Sequence, residues 1–353
     1  MKIKKVIGIL SSISLICGNL MMPIISFGAS ETISIDEAVK IAVQSSNSLR
    51  KLENSLSSQQ VKYDGSSFDS TGDIFSNISG QREKESLENS IKSLERDKES
   101  QKESIEFLLK QTVIGIDKKE KEIGLKEKEL KNQQENLTLD MMKLDAGKIS
   151  QYDYDTKKDK IDKSKKSIEI DKKNLEKDYD RLDSMLGVDS SKRKKVLYTV
   201  KYEKFKGSEA EIPYIVTKAI EKDPNAFRKS LEILEKQYRA DYFVPGDENT
   251  EIKDIGVASS VNQMQDLKDN MDKKVRDLFN SIKKNEIAKE SLMLDLSTVK
   301  KDLEIVNKKL ELGKTIPQEV KNIEFKKTQI EENLKLNELE HILLMLQYEK
   351  PYI

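Results

Sequence analysis

Apolar positions in the second half of the chain form two runs that mirror each other about Gly313. Upstream, the seam positions are Leu278, Ile282, Asn285, Lys289, Leu292, Leu296, Val299, Leu303, Val306 and Leu310, in alternating steps of four and three. That is the a/d spacing of a coiled coil. Downstream, Ile316, Val320, Ile323, Lys327, Ile330, Leu334, Asn337, His341, Leu344 and Tyr348 repeat the spacing in reverse. A helical hairpin turning at Gly313 therefore sets Leu310 opposite Ile316, Leu296 opposite Ile330 and Leu278 opposite Tyr348. A second mirror lies at residue 149, beside Gly147. There Leu109, Ile116, Ile123, Leu130, Leu137 and Leu144 answer Tyr154, Ile161, Ile168, Leu175 and Leu182. This seam is thinner, because its other heptad line puts Gln134, Glu127 and Glu120 opposite Ser164, Asp171 and Asp178. One apolar line per helix calls for neighbouring helices or another subunit, since helices draw most of their stability from packing.

The shorter elements also come in two copies. Ser34 is a helix N-cap, with Asp36 and Glu37 in the first turn where the helix dipole favours carboxylates. Ile35, Ala38, Val39, Ala42 and Val43 form an apolar face that recurs, at one constant offset, as Ile212, Ile215, Val216, Ala219 and Ile220. Asn47-Ser48 reads as a bend, and Asp223-Pro224-Asn225 stands at the equivalent place. A helix over 49–62, a Gly/Ser/Asp-rich loop over 63–80 and a long helix from Arg82 are expected in the first copy. The second copy is expected to have a helix to Tyr242, a loop holding Pro245, Gly246 and Gly256, and a long helix from about Val261. Gly187 is placed as a C-terminal glycine stop. Weak alternation over 194–205 (Val196, Tyr198, Val200, Tyr202) leaves room for one or two short strands. The fold class is all-α: two tandem repeats, 31–193 with its tip near 147–150 and 211–353 with its tip near 313–316, joined by a linker over 194–210.

Polar seam positions meet polar ones. In the mirror register Lys289 faces Asn337 and Asn285 faces His341, a layer that fixes register as buried polar a-positions do. His341 is the only histidine, so histidine triads and histidine-cluster metal sites are excluded. Its alternative role is a pH-sensitive contact. Asp153 and Asp155 read as first-turn carboxylates, with a cation site or a lumen-facing ring as the alternatives. Gly147 and Gly313 lie in no phosphate-binding loop. We find no catalytic, cofactor-binding or metal-ligating constellation. The residues singled out instead are the hairpin tips, Gly147, Lys148, Ile149 and Ser150 with Gly313, Lys314, Thr315 and Ile316, where Ile149 is either exposed for docking or, with Ile316, closes the last seam layer.

Composition sharpens this. Sixty-three basic residues balance 63 acidic ones, which argues against a general nucleic-acid binder. The 36% charged content with no Trp belongs to long solvated helices rather than a thick core. Residues 1–30 begin with Lys2, Lys4 and Lys5, continue in an apolar run from Val6 to Ile25, and end in small residues. This is the pattern of a secretory signal, cleaved after Gly28 or Ser30, with an uncleaved anchor as the alternative. Cys17, the single cysteine, lies inside that run.

These residues together resemble the TolC-like outer-membrane efflux proteins. The stretch Ile33-Ser34-Ile35-Asp36-Glu37-Ala38-Val39-Lys40-Ile41-Ala42 is similar to that family's N-terminal signature. Leu144-Asp145-Ala146-Gly147-Lys148 and Leu310-Glu311-Leu312-Gly313-Lys314 resemble its hairpin tips, and Leu186-Gly187 resembles the close of its first repeat. The resemblance implies a trimer whose six hairpins form a twelve-helix duct, with the tips docking an adaptor or pump of an export system. It implies a non-enzymatic protein without cofactors, exported to the cell envelope or beyond. The family inserts two β-strands in each copy to build a membrane barrel. Here the two insertion points hold about 18 residues each and lack alternating apolar residues, too little for a pair of spanning strands at roughly 9–11 residues apiece. Membrane association is then indirect, or through an uncleaved signal. The alternative function is an exported coiled-coil spacer or surface protein with no conduit.

Overall fold

The computed structural model describes residues 32–66, 74–198, 201–241 and 250–353; the signal-like segment, Val200 and part of each expected loop fall outside them. A short strand β1 (Thr32–Ser34) leads into α1 (Ile35–Ser45) and α2 (Asn47–Gly65). The first hairpin is α3 (Ile74–Asp145) and α4 (Gln151–Leu186). After β2 (Lys195–Leu197), the second copy runs α5 (Ile212–Lys222), α6 (Pro224–Asp241), α7 (Thr250–Glu311) and α8 (Pro317–Glu349). The repeat is closest at its start: α1 and α5 are both 11 residues long, and Ser46 and Asp223 occupy the same break. Ser46 Oγ accepts the Leu49 N–H, and Asp223 Oδ1 accepts the Asn225 and Ala226 N–H groups. The first bend therefore lies at Ser46, one residue before the expected Asn47-Ser48, because a serine can cap the next helix there.

Four long helices lie side by side in the order α4, α3, α8, α7, each antiparallel to its neighbour, with both tips pointing the same way. Ion pairs Lys119–Asp178, Lys126–Asp171 and Lys172–Glu127, and the Tyr179 hydroxyl on Glu120, lie within one residue of mirror positions about residue 149. The acidic line of the thin seam is thus neutralised by lysines one position away. Ile123, Ile161 and Ile168 are buried along it. Edge helices α4 and α7 each have one long-helix neighbour, whereas α8 is packed on both sides. From Lys327 to the end of α8, Lys335 and Glu349 alone are exposed.

The apolar cores sit at the base. Ile33, Ala38, Ala42 and Leu49 pack with Ile105, Leu109, Val113, Ile116, Leu182 and Leu186. In the second copy Ile212 and Ala219 pack with Met271, Val275, Ile282, Tyr348 and the linker's Phe205. One strand forms among the described residues of the linker, and β2 pairs in parallel with β1, Ile33 opposite Val196. Arg193 pins the start of the linker to the first hairpin through Asp183 (2.8 Å), Glu176 (2.9 Å) and Asp180 (2.9 Å).

The helices reach further into the expected loops than the sequence suggested. Helix α2 continues to Gly65 and α3 begins at Ile74 rather than Arg82; α7 begins at Thr250 rather than Val261. Gly80 and Gly256 lie inside helices, where each costs only about 1 kcal/mol relative to alanine. Between these helix ends, 67–73 and 242–249, where the family's strands would be inserted, lie outside the described residues. Among the described residues, no helix is long and apolar enough to cross a membrane.

Gly147, Gly187 and Gly313 have φ of 66°, 65° and 65°. A Cβ at Gly147 or Gly313 meets nothing within 4 Å, but at Gly187 it would lie 2.8 Å from the Ser45 Cβ of α1. Gly147→Ala should therefore cost only the left-handed strain, about 1–2 kcal/mol. Gly187→Ala should cost measurably more, because helix α1 must move. Denaturant titration of the two variants checks this, and equal losses would contradict the close α1–Gly187 packing.

Candidate functional site: the hairpin tips and the buried polar layer

Both ascending helices end in the same Schellman geometry, in which left-handed glycine lets two amides return to the last turn. The Gly147 N–H donates to the Leu144 carbonyl (2.9 Å) and the Lys148 N–H to that of Lys143 (2.8 Å). The Gly313 N–H donates to the Leu310 carbonyl (2.9 Å) and the Lys314 N–H to that of Lys309 (2.8 Å). Lys148 and Lys314 consequently occupy equivalent, exposed places.

The descending helices start differently. Ser150 caps α4: its Oγ accepts the Asp153 N–H (3.1 Å) and donates to Asp153 Oδ2 (2.7 Å). Gln151 donates to Asp155 (3.0 Å). Asp153 is thus a capping carboxylate in the first turn of α4, whereas Asp155 lies past that turn and holds only the surface contact with Gln151. At the second tip Ile316 takes the capping position, ahead of Pro317, and Thr315 donates from Oγ1 to Glu319. A residue before proline is held extended, and Ile316 is left 54% exposed. Ile149, the counterpart of Thr315 rather than of Ile316, is half-buried. The exposed isoleucine of the tips is thus Ile316, not Ile149; near it Leu312 is 66% exposed.

Polar contacts fasten the two tips together. Gln318 Nε2 donates to Asn136 Oδ1 (3.1 Å), and Asn136 Nδ2 donates to Asn322 Oδ1 (3.2 Å). Lys321–Glu135 (3.1 Å), Lys128–Glu332 (3.1 Å) and Lys118–Glu340 (2.7 Å) continue the seam towards the base. Within the first hairpin, buried Asp140 accepts from Lys157 (2.5 Å) and Lys143 (3.0 Å). Burial pushes the Asp140 carboxyl up, but the hydrogen bonds from Lys157 and Lys143 outweigh it and hold the group below the usual aspartate range.

The register layer forms with a different pairing from the expected one. Asn285 donates to the Asn337 carbonyl (3.3 Å), and Asn337 donates to the Asn285 carbonyl (3.2 Å), one helical turn from strict mirror register. Lys289 pairs with Glu338 (2.8 Å), not Asn337. His341 faces Glu286, its Nε2 lying 3.7 Å from Oε1, rather than Asn285. Asparagine and lysine side chains reach along the helix axis, so polar partners need not be level as apolar knobs must. Glu286 was not singled out from the sequence, because a single glutamate on a charge-rich helix carries no distinguishing signal. Burial is the main effect that lowers the His341 pKa, against a smaller upward pull from Glu286, so the imidazole is neutral near pH 7.

The burial of Asp140 makes its tip contacts measurable. A double-mutant cycle on Asp140→Asn and Lys157→Met should give a coupling of about 1–2 kcal/mol, above that of a typical exposed pair. A coupling near zero would remove Asp140 as an organiser of the tip.

No protein-family model and no curated protein sequence gives a significant match to the chain. Solved structures do match in shape. The Campylobacter jejuni CmeC outer membrane channel aligns with a TM-score of 0.64 at 11% identity, covering 90% of this chain and 85% of that one. The open state of the Neisseria gonorrhoeae MtrE outer membrane channel aligns at 0.61 and 10% identity, covering 90% and 88%. The outer membrane protein VceC of Vibrio cholerae aligns at 0.59 and 10% identity, covering 90% and 96%. These likenesses, across two helical hairpins and the short helices at their base, give the chain the fold of the TolC-like outer-membrane channels.

Proposed function

We propose that this chain is the exported subunit of an α-helical duct in an efflux or secretion system of the cell envelope, and that its hairpin tips dock a partner adaptor. The observation that carries the reading is on α7. This edge helix buries one face against α8, yet Ile287 (66% exposed), Leu294 (71%) and Ile305 (52%) stand away from that face, and Leu312 (66%), one residue past the helix end, continues them. Their two-turn and three-turn steps keep them on one line. A soluble helix with no partner on that side is expected to be polar there. A second copy of the chain covers such a line without burying charge, and head-to-tail repetition of an edge-to-edge contact gives a ring when its rotation closes. Three copies would supply twelve long helices. Tips that carry Lys148, Lys314, Leu312 and Ile316 on one end of the subunit then form a repeated, mixed basic and apolar rim suited to an adaptor.

The mature protein should run in light scattering as a multiple of the chain mass, three copies in this reading. Leu294→Glu with Ile305→Glu should return it to one copy while leaving its circular dichroism unchanged. An unchanged mass would exclude the stripe as the interface, and a monomeric parent would favour the spacer alternative. For the rim, Lys148→Glu, Lys314→Glu and Ile316→Ser together should preserve the oligomer but weaken adaptor capture roughly tenfold, a loss of about 1.4 kcal/mol. Undiminished capture would mean that docking lies elsewhere.

A further inference from the structure

The segment that joins the two repeats is held onto the second hairpin by a buried polar cluster. Glu286 on α7 accepts the Phe205 N–H at 2.8 Å, a bond buried from solvent. Three residues earlier in the chain, the Tyr202 ring packs on His341 of α8, with centroids 4.7 Å apart. His341 is 1% exposed, and its Nε2 has no hydrogen-bond partner among the described residues. The nearby acceptor, Glu286 Oε1, is 3.7 Å away, too far for a hydrogen bond.

We propose that His341 is an acid-sensitive latch: neutral, it lets Tyr202 and Phe205 of the linker close over the second hairpin, and proton uptake releases them. The charges around the imidazole explain the direction. From α7, Lys289 lies 3.0 Å above the Tyr202 ring and Lys283 lies 3.6 Å from Glu286. From α8, Glu338 is already paired with Lys289. From the linker, Lys204 lies 4.0 Å from Glu290. Burial holds the Tyr202 hydroxyl above its ordinary range, so it stays neutral throughout mild acid. An imidazolium would therefore add a third cation to Lys283 and Lys289, which already pair with the site's two carboxylates, Glu286 and Glu338, in a site closed to water. Such a charge must be hydrated or paired. The helices α7 and α8 are held by their seam, whereas Tyr202 is a half-buried lid on a segment without helix or strand. Lifting the lid admits water at the least structural cost.

Linkage fixes the sign. A group that is harder to protonate when closed favours the open state as pH falls, starting below the ordinary histidine value of about 6.5. One proton per opening raises the opening constant by up to about tenfold per pH unit in that window.

The test uses the full mature protein carrying a histidine-free tag, so that its single imidazole gives one NMR signal to titrate. In parallel, hydrogen exchange of a peptide covering 201–208 is followed by mass spectrometry and corrected for intrinsic rates. The expected result is faster linker exchange with the same pH midpoint as the imidazole, while peptides around Ile161 and Ile168 stay protected. His341→Gln should flatten the pH dependence. The proposal is overturned if the imidazole titrates without a change in linker exchange, if it does not titrate before the whole chain unfolds, if both hairpins open together, or if a folded His341→Gln protein keeps the same pH response.

Discussion

The left-handed glycine at the end of each ascending helix is the constraint on which the structure depends. Gly147 and Gly313 reverse the chain within one turn, and everything beneath them is set by that reversal. Once the axis of each hairpin is fixed, the heptads on its two arms meet at mirror positions. Lysines then fall beside the carboxylates of the opposite arm. Had the turn shifted by one residue, each seam side chain would rotate away from its partner, and the marginal first hairpin could not offset the loss with a wide apolar face. Local backbone geometry at a single residue is in this way coupled to packing over the length of the hairpin.

The base makes the two hairpins one unit. Short helices α1 and α5 cover the apolar ends of the hairpins, and the linker is gripped by Arg193 on one side and by Glu286 and His341 on the other. Each hairpin has its own apolar core at the base, and polar contacts join the two copies there as well as towards the tips: Lys222 pairs with Glu103 and Arg228 with Asp97 at the base, and amides and ion pairs line the seam above. Hydrophobic burial thus holds each hairpin's base, whereas directional polar contacts set the spacing between hairpins.

Much of this was legible in the sequence. Mirror heptads gave both hairpins, the constant offset between Ile35 and Ile212 gave the repeat, and glycine, serine and aspartate gave the caps. What was not legible is where two elements meet without periodicity. Helix starts at Ile74 and Thr250 were masked by Gly80 and Gly256, because a glycine tolerated inside a helix looks the same in sequence as one in a loop. Asn285, Lys289 and His341 do form a polar layer, but not with the partners expected, since flexible polar side chains choose partners a turn away. Ile149 and Ile316 looked equivalent until the turns were aligned on their capping residues. The α3–α8 contact between hairpins left no signal, because lysine–glutamate pairs across it resemble any solvated helix face.

At its centre the account holds that copies of this chain close into a hollow ring through the outer edge of α7. Electron microscopy of the purified assembly, viewed down the long axis, tests that most directly. The account predicts a ring of twelve helices with threefold symmetry around an open centre. A filled bundle, or isolated four-helix particles at concentrations where the parent should assemble, would contradict it.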